Sequence, residues 1–233
     1  MNHKLESLAG WYTSEQLDID KIMIGFRFNS NSEFFTGKTC LEIGPADGVM
    51  SSLLKNEFES LHLLEGSQTL LNQIPDYPNV KKFCSMVEDF ESTEQYDTII
   101  LEHVLEHIEH PQTALRKIKK WLKPGGRFIV GVPNALSFHR MIGVKMGLLA
   151  TPYSLNDRDK ELGHYRVYDP ETLQKELRDA GFDQLIHSGG VFFKCLSNKQ
   201  IHDFCTPEMI EGFYQLGKDF QKNAAEIFVV VSH

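Results

Sequence analysis

Two stretches of this sequence combine residue types and spacing that suit chemistry on a bound small molecule. The first is Leu41-Glu42-Ile43-Gly44-Pro45-Ala46-Asp47-Gly48, an apolar run that ends in a turn with two glycines. Glycine lets a backbone adopt φ > 0 and approach a ligand closely. The second is His103-Val104-Leu105-Glu106-His107-Ile108-Glu109-His110-Pro111. His103 and His107 are four apart and share a face if this turn is helical. Imidazole is the side chain best matched to proton transfer near neutrality. Glu65 follows the glycine turn by roughly 20 residues, a spacing at which a carboxylate can accept from ribose hydroxyls. Val87-Glu88-Asp89-Phe90 adds two carboxylates and an aromatic edge suited to a flat base. Taken singly, each feature reads equally as a turn, a cap or core packing. Their order along the chain favours a site.

The elements that must position these residues alternate. Candidate strands are Thr39–Ile43, Ser60–Glu65, Val80–Cys84, Tyr96–Leu101, Arg127–Val132, Phe182–His187 and Glu226–Val231. A helix from Pro111 through Ala114, Leu115, Ile118 and Leu122 has one apolar face and stops at Lys123-Pro124-Gly125-Gly126. Others run from Asp169-Pro170 to Gly181 and onward from Thr206-Pro207. Apolar strands separated by helices imply a mostly parallel sheet covered on both faces, joined by right-handed crossovers. One α/β domain spanning 1–233 is expected, with a leading helical segment over 1–36. Residues 133–168 interrupt the alternation as a long insert, of the kind that forms lids or binding loops.

Composition narrows the function. The chain has 233 residues and a formal net charge of −8, so it lacks a basic nucleic-acid footprint as a whole. The group Lys117, Lys119, Lys120 and Lys123 lies on a helix directed away from the site. No run of 18 apolar residues exists, and the first residues carry charge instead of a signal-peptide core. A cytoplasmic protein without membrane attachment is expected. Cys40, Cys84, Cys195 and Cys205 form no CxxC pair and read as reduced thiols, Cys40 and Cys84 as small strand hydrophobes. Cys195, His202 and Cys205 are near in sequence but lack a fourth zinc ligand.

In this order the motifs resemble those of the class I S-adenosylmethionine-dependent methyltransferases, over about residues 39–132 and more loosely beyond. Glu42, Gly44 and Gly48 match the acid and two glycines of that family's first motif, with Ala46 in place of its middle glycine. Glu65 matches the ribose acid, Glu88 and Asp89 the adenine-side motif, and Leu122–Arg127 the turn before the fifth strand. The resemblance implies a Rossmann-like, doubly wound seven-stranded sheet with an antiparallel last strand. It also implies S-adenosylmethionine as methyl donor, held by these residues together with Glu102. A nicotinamide dehydrogenase would need G-x-G-x-x-G, which Ala46 breaks.

Glu106-His107 is similar to the Leu-Glu-His of ubiquinone-pathway O-methyltransferases. In those and in small-RNA 2′-O-methyltransferases the neighbouring acid/His cluster can hold a divalent metal. Here His103 replaces a Glu, which counts against a hard cation; Glu106, the two histidines and His164 would suit a softer one. Pro133-Asn134 and Gly163-His164-Tyr165-Arg166 resemble bacterial methyltransferases of small molecules and sugars, whose insert closes over the acceptor. The expected function is therefore methyl transfer to a small molecule, at oxygen, with His107, His103 or His164 as general base. An RNA-directed enzyme and a catalytically silent donor-binding subunit are the alternatives. Arg27 could pair with the donor's carboxylate or remain solvated. The apolar residues Met141, Ile142, Met146, Leu148, Leu149 and Tyr153 would serve a lid, an acceptor pocket or a homodimer contact.

Overall fold

The computed structural model describes residues 18–233. Trp11 and Tyr12, expected in the leading helix, lie outside the described residues. Helix α1 (Asp18–Asn31) leads into β1 (Thr39–Ile43), α2 (Val49–Leu54), β2 (Ser60–Glu65), α3 (Gln68–Leu71) and β3 (Val80–Cys84). Next come β4 (Tyr96–Glu102), α4 (Pro111–Trp121), β5 (Leu122–Pro133), α5 (Phe138–Lys145), α6 (Asp157–Leu162) and α7 (Pro170–Asp179). The chain finishes with β6 (Gln184–Val191), α8 (Asn198–Phe204), α9 (Pro207–Asp219) and β7 (Glu226–Ser232).

The seven strands form one sheet in the order β3-β2-β1-β4-β5-β7-β6. β1 through β5 pair in parallel, and β7 runs antiparallel to both β5 and β6. This is the open, doubly wound α/β architecture expected from the alternation. Chain order reverses between β1 and β4, so a crevice opens beyond their carboxyl ends.

The continuous apolar strands bury both faces. Along β1, Leu41 and Ile43 join the layer containing Leu115, Ile118 and Leu173, while Cys40 joins Met23, Phe26 and Tyr214 on the other side. That two-residue alternation is the pleat itself. Helix α4 turns Ala114, Leu115 and Ile118 inward, as its spacing requires, but ends at Trp121, short of the expected Leu122.

Three expectations about elements change. Leu122 already pairs with Tyr96, so β5 begins ahead of the Pro-Gly-Gly turn, with a register shift between Tyr96 and Thr98. β6 starts at Gln184 and extends to Val191, because it tracks β7 as far as Glu226. Cys84 is exposed, not a core hydrophobe: it lies on β3, the edge strand, where one flank has no covering partner.

The insert is fastened at its base. Asn134 bridges to Tyr168, and Ala135 N donates to Tyr168 O at 2.7 Å. The fully buried Asn134 side chain donates to Lys222 O and Ala224 O at 3.0 and 2.8 Å and accepts from Leu136 N at 2.9 Å. The first two bonds tie the end of β5 to the chain entering β7. Arg140, buried on α5, reaches Pro152 O, Ser154 O and the Asp159 carboxylate, which folds the insert back on itself. Met146 and Leu148 are 66% and 72% exposed and line neither cavity described below. Among the described residues no helix is long and apolar enough to cross a membrane.

Candidate functional site

Two adjoining cavities occupy the crevice at the carboxyl ends of the strands. The smaller, about 170 Å³, lies between the glycine turn, the tips of β2 and β3, and the 103–108 segment. The larger, about 300 Å³, extends from the same turn beneath α1 and the insert to Lys194 and Glu226. Gly44, Ala46, His103, His107 and Leu162 border both, so the cavities meet there.

The turn between β1 and α2 is shaped for close approach. Gly44 has φ +73, and a Cβ there would lie 2.3 Å from Val104 Cγ2. Only glycine fits that conformation and that gap. Ala46 also takes a left-handed φ, of +49, so the backbone follows the glycine conformation at this position despite its side chain. Gly48 (φ +82) is the N-cap of α2 and lines neither cavity; its role is the turn. Glu65 is buried at the tip of β2, accepting from Ser67 N at 2.8 Å and Ala46 N at 3.2 Å. These two N–H groups fix its carboxylate at the wall of the smaller cavity.

Glu88 borders that cavity too, and its Oε2 is buried without a hydrogen-bond partner. Two adenine-side residues lie off the cavity wall. Asp89 is exposed and lines neither cavity. Phe90 turns into the core against Phe83 and Trp121, leaving Val87 and Ile108 as the apolar wall.

Buried carboxylates line the floor of the larger cavity. Burial pushes Glu42 up to about 8, although the Ser51 hydroxyl donates to it at 2.5 Å. Burial likewise pushes Glu106 up to about 8. Glu102, which accepts from Asn31 at 2.6 Å, is pushed up to about 7 by burial, with Arg27 opposing. Glu102 thus borders the larger cavity and not the smaller one. Desolvated acids of this kind favour a positively charged ligand, which would stabilise their ionised forms.

The acids also make stability depend on pH. A folded carboxyl titrating above its ordinary 4.5 holds a proton that the unfolded chain has released. Its contribution is complete below about 4.5 and declines as the pH rises toward 8. Glu42→Gln is therefore expected to raise the melting temperature progressively, relative to the parent, as the pH rises from 5 to 8. Melting curves across that range check it; a parallel offset would place the proton elsewhere.

His103 and His107 do not share a helical face. His103 has φ +55, its N–H donates to Gly131 O at 2.9 Å, and the following helical turn spans only Leu105–His107. The left-handed residue turns the His103 ring toward Glu226, 3.3 Å from Nε2, and Glu106, 3.7 Å from Nδ1. Burial pushes His103 down. Burial alone would raise Glu226, but Arg27 (at 3.1 Å) and His103 hold it at about 2. Arg27 is thus paired inside the protein and not solvated.

His164 arrives from the insert. Its Nδ1 lies 3.3 Å from Asp159 Oδ1, and Asp159 is itself held by Arg140 at 3.0 Å and Asn156 N at 2.9 Å. Burial opposes ionisation of Asp159, but His164, Asn156 and Arg140 bring it down to about 2. A carboxylate on one ring nitrogen leaves the other directed away from it, the arrangement that orients a base. The His164 ring meets His107 edge-on, with centroids 4.6 Å apart. Tyr165 N donates to Glu106 O at 2.9 Å, locking the insert to the β4 tip. Glu106, His107 and His164 present one ligand atom each within 4.8 Å of one another. Among the described residues, Cys195, His202 and Cys205 form no such group.

Sequence reasoning placed Glu42, Gly44, Glu65, Glu88, His103, His107 and His164 around this crevice, and all seven border it. It missed Asp159, Glu226 and Lys194. Asp159 had a local signal, its capping-box spacing from Asn156. Glu226 and Lys194 had none, since pairing of β6 with β7 brings them in.

A family model for a methyltransferase domain matches residues 24–187. An (S)-coclaurine N-methyltransferase of Papaver somniferum is 23% identical over 138 residues, 54% of this chain and 39% of its own length. The chain thus spans about two fifths of that relative. A ubiquinone biosynthesis O-methyltransferase of Rickettsia conorii is 21% identical over 200 residues, covering 78% of this chain and 69% of its own. Among solved structures, an S-adenosylmethionine-dependent methyltransferase of Thermotoga maritima, a possible histamine N-methyltransferase, superposes with a TM-score of 0.71 at 17% identity, covering 100% and 99% of the two chains. The N-methyltransferase NodS of Bradyrhizobium japonicum, in complex with S-adenosyl-L-homocysteine, does so at 0.62 and 15%, covering 100% and 99%.

Proposed function

The chain belongs to the methyltransferase-domain family, as a class I S-adenosylmethionine-dependent enzyme, and from that premise we propose that it methylates a small-molecule hydroxyl across the junction of the two cavities. The observation that carries this reading is the junction itself. A nucleoside in the smaller cavity would reach past Gly44 into the larger one, where the buried acids suit a cationic sulfonium and ammonium.

The donor supplies an already activated methyl group, so the protein's tasks are alignment and proton removal. Glu65 grips the ribose, with Glu88 beside the base. Glu42 and Glu102 face the charged tail. His164, held by Asp159, accepts the acceptor's hydroxyl proton, and His107 packs against it to fix the ring. His103 sits between Glu226 and Glu106 and fixes the turn that carries His107. The triplet Glu106, His107 and His164 also has the donor set for one borderline divalent cation, which would polarise an acceptor oxygen.

An RNA acceptor is disfavoured by the same structure. Lys117 donates to Glu88 O and Phe90 O, Lys119 to Gly181 O, and Lys123 to Asp97, so these ammoniums serve the fold. The exposed apolar surface at Met146 and Leu148 is consistent with a homodimer contact, which light scattering would test.

Calorimetry with S-adenosylmethionine and S-adenosylhomocysteine tests the donor site. Glu65→Ala is expected to weaken binding by about 1–3 kcal/mol, the cost of losing hydrogen bonds to a charged group. Unchanged affinity would remove Glu65 from the site. Donor binding without turnover of any acceptor would favour the silent-subunit alternative.

A further inference from the structure

Far from the glycine turn, the larger cavity ends in polar groups that the methyl-transfer reading does not use. Lys194 follows β6 and borders this end. Its ammonium contacts Asn198 Oδ1 at 2.5 Å, a neutral acceptor, and among the described residues it has no carboxylate within 4.0 Å. Asn198 in turn donates to Asp20 at 2.8 Å. From the insert, His139 on α5 borders the same space, and its Nδ1 is buried without a hydrogen-bond partner. Neighbouring rings hold the two segments together, Phe138 against Phe193 at 5.2 Å.

A half-buried ammonium whose one hydrogen bond is to a neutral amide, with Glu226 and Asp20 acting on it only from a distance, and a buried imidazole nitrogen with no partner are both costly to leave so. Each is relieved by the same thing, an anion between them. We propose that this end of the cavity receives an acid group, carboxylate or phosphate, carried by the methyl acceptor, with Lys194 as its counter-charge and His139 as its hydrogen-bond donor. The proposal rests on the methyl-transfer reading and names the substrate class for it: a small acidic molecule with a hydroxyl at the other end. Burial, Lys194 and Arg140 push His139 down to about 3, so it stands neutral until an anion offsets the nearby cations. Near the glycine turn a second cation, Lys21 on α1, acts on Asp47 and borders the same cavity.

The test follows the His139 imidazole by NMR in ¹³C-histidine-labelled protein saturated with S-adenosylhomocysteine, while inorganic phosphate or benzoate is added. The resonance is assigned with His139→Gln. A saturable shift with either anion is expected, and the anion that binds more tightly identifies the acid group. Lys194→Met should weaken that binding roughly tenfold or more, and Lys194→Arg should retain it, with S-adenosylhomocysteine affinity unchanged in both. Two results overturn the proposal: no saturable shift with either anion, or anion binding unaffected in Lys194→Met. Competition between the anion and S-adenosylhomocysteine also overturns it, by making this the donor's carboxylate seat. Failure of S-adenosylhomocysteine to bind at all is a separate outcome, which removes the donor reading and this proposal together.

Discussion

His164→Gln is expected to slow methyl transfer by roughly 10²–10⁴ while leaving donor affinity unchanged, the range that loss of a general base produces. Glutamine keeps a hydrogen-bonding side chain near Asp159 but cannot take a proton. Asp159→Asn should also slow transfer, because Asp159 orients the ring. His107→Ala should cost less, since His107 contacts His164 through its ring edge. Incubation with a chelator separates base from metal. Retained activity fits a base at His164, whereas loss restored by a divalent ion assigns Glu106, His107 and His164 as ligands. A loss of only tenfold or less in His164→Gln would leave the ring a packing role.

Gly44→Ala is expected to abolish measurable donor binding. The added carbon would overlap Val104 Cγ2 at 2.3 Å and would have to sit at φ +73. With Val104 in place, relief comes from moving the turn away from Val104, which displaces the Ala46 N–H that holds Glu65. Strain of this kind costs about 1–3 kcal/mol per residue, so the fold should survive with a lowered melting temperature. Gly44→Ala/Val104→Ala removes the overlap but not the dihedral strain and should recover part of the affinity. Full donor affinity in Gly44→Ala would show that the turn does not shape the site.

The two halves of the crevice differ in how far the sequence reveals them. The donor half is encoded locally. Gly44 and Glu65 each end a strand, and the strands themselves are legible as apolar runs bounded by turns. The periodicity of α4 is legible too, although the helix ends at Trp121, before the Lys123–Gly126 break. The acceptor half is built by tertiary contact. Lys194 and Glu226 come from strand ends that only β6–β7 pairing brings beneath the insert. His103 and His107 do not share a face because the left-handed His103, whose N–H goes to Gly131 O, breaks the helical spacing. Cys84 reads as a core hydrophobe because its neighbours are apolar, whereas β3 forms the exposed edge of the sheet.

Determining the crystal structure of the protein with S-adenosylhomocysteine tests the central claim most directly. The account predicts the nucleoside in the smaller cavity with its ribose hydroxyls on Glu65, and the sulfur at the Gly44–His107 junction facing His164. A nucleoside seated elsewhere, or a sulfur directed away from the larger cavity, would contradict it.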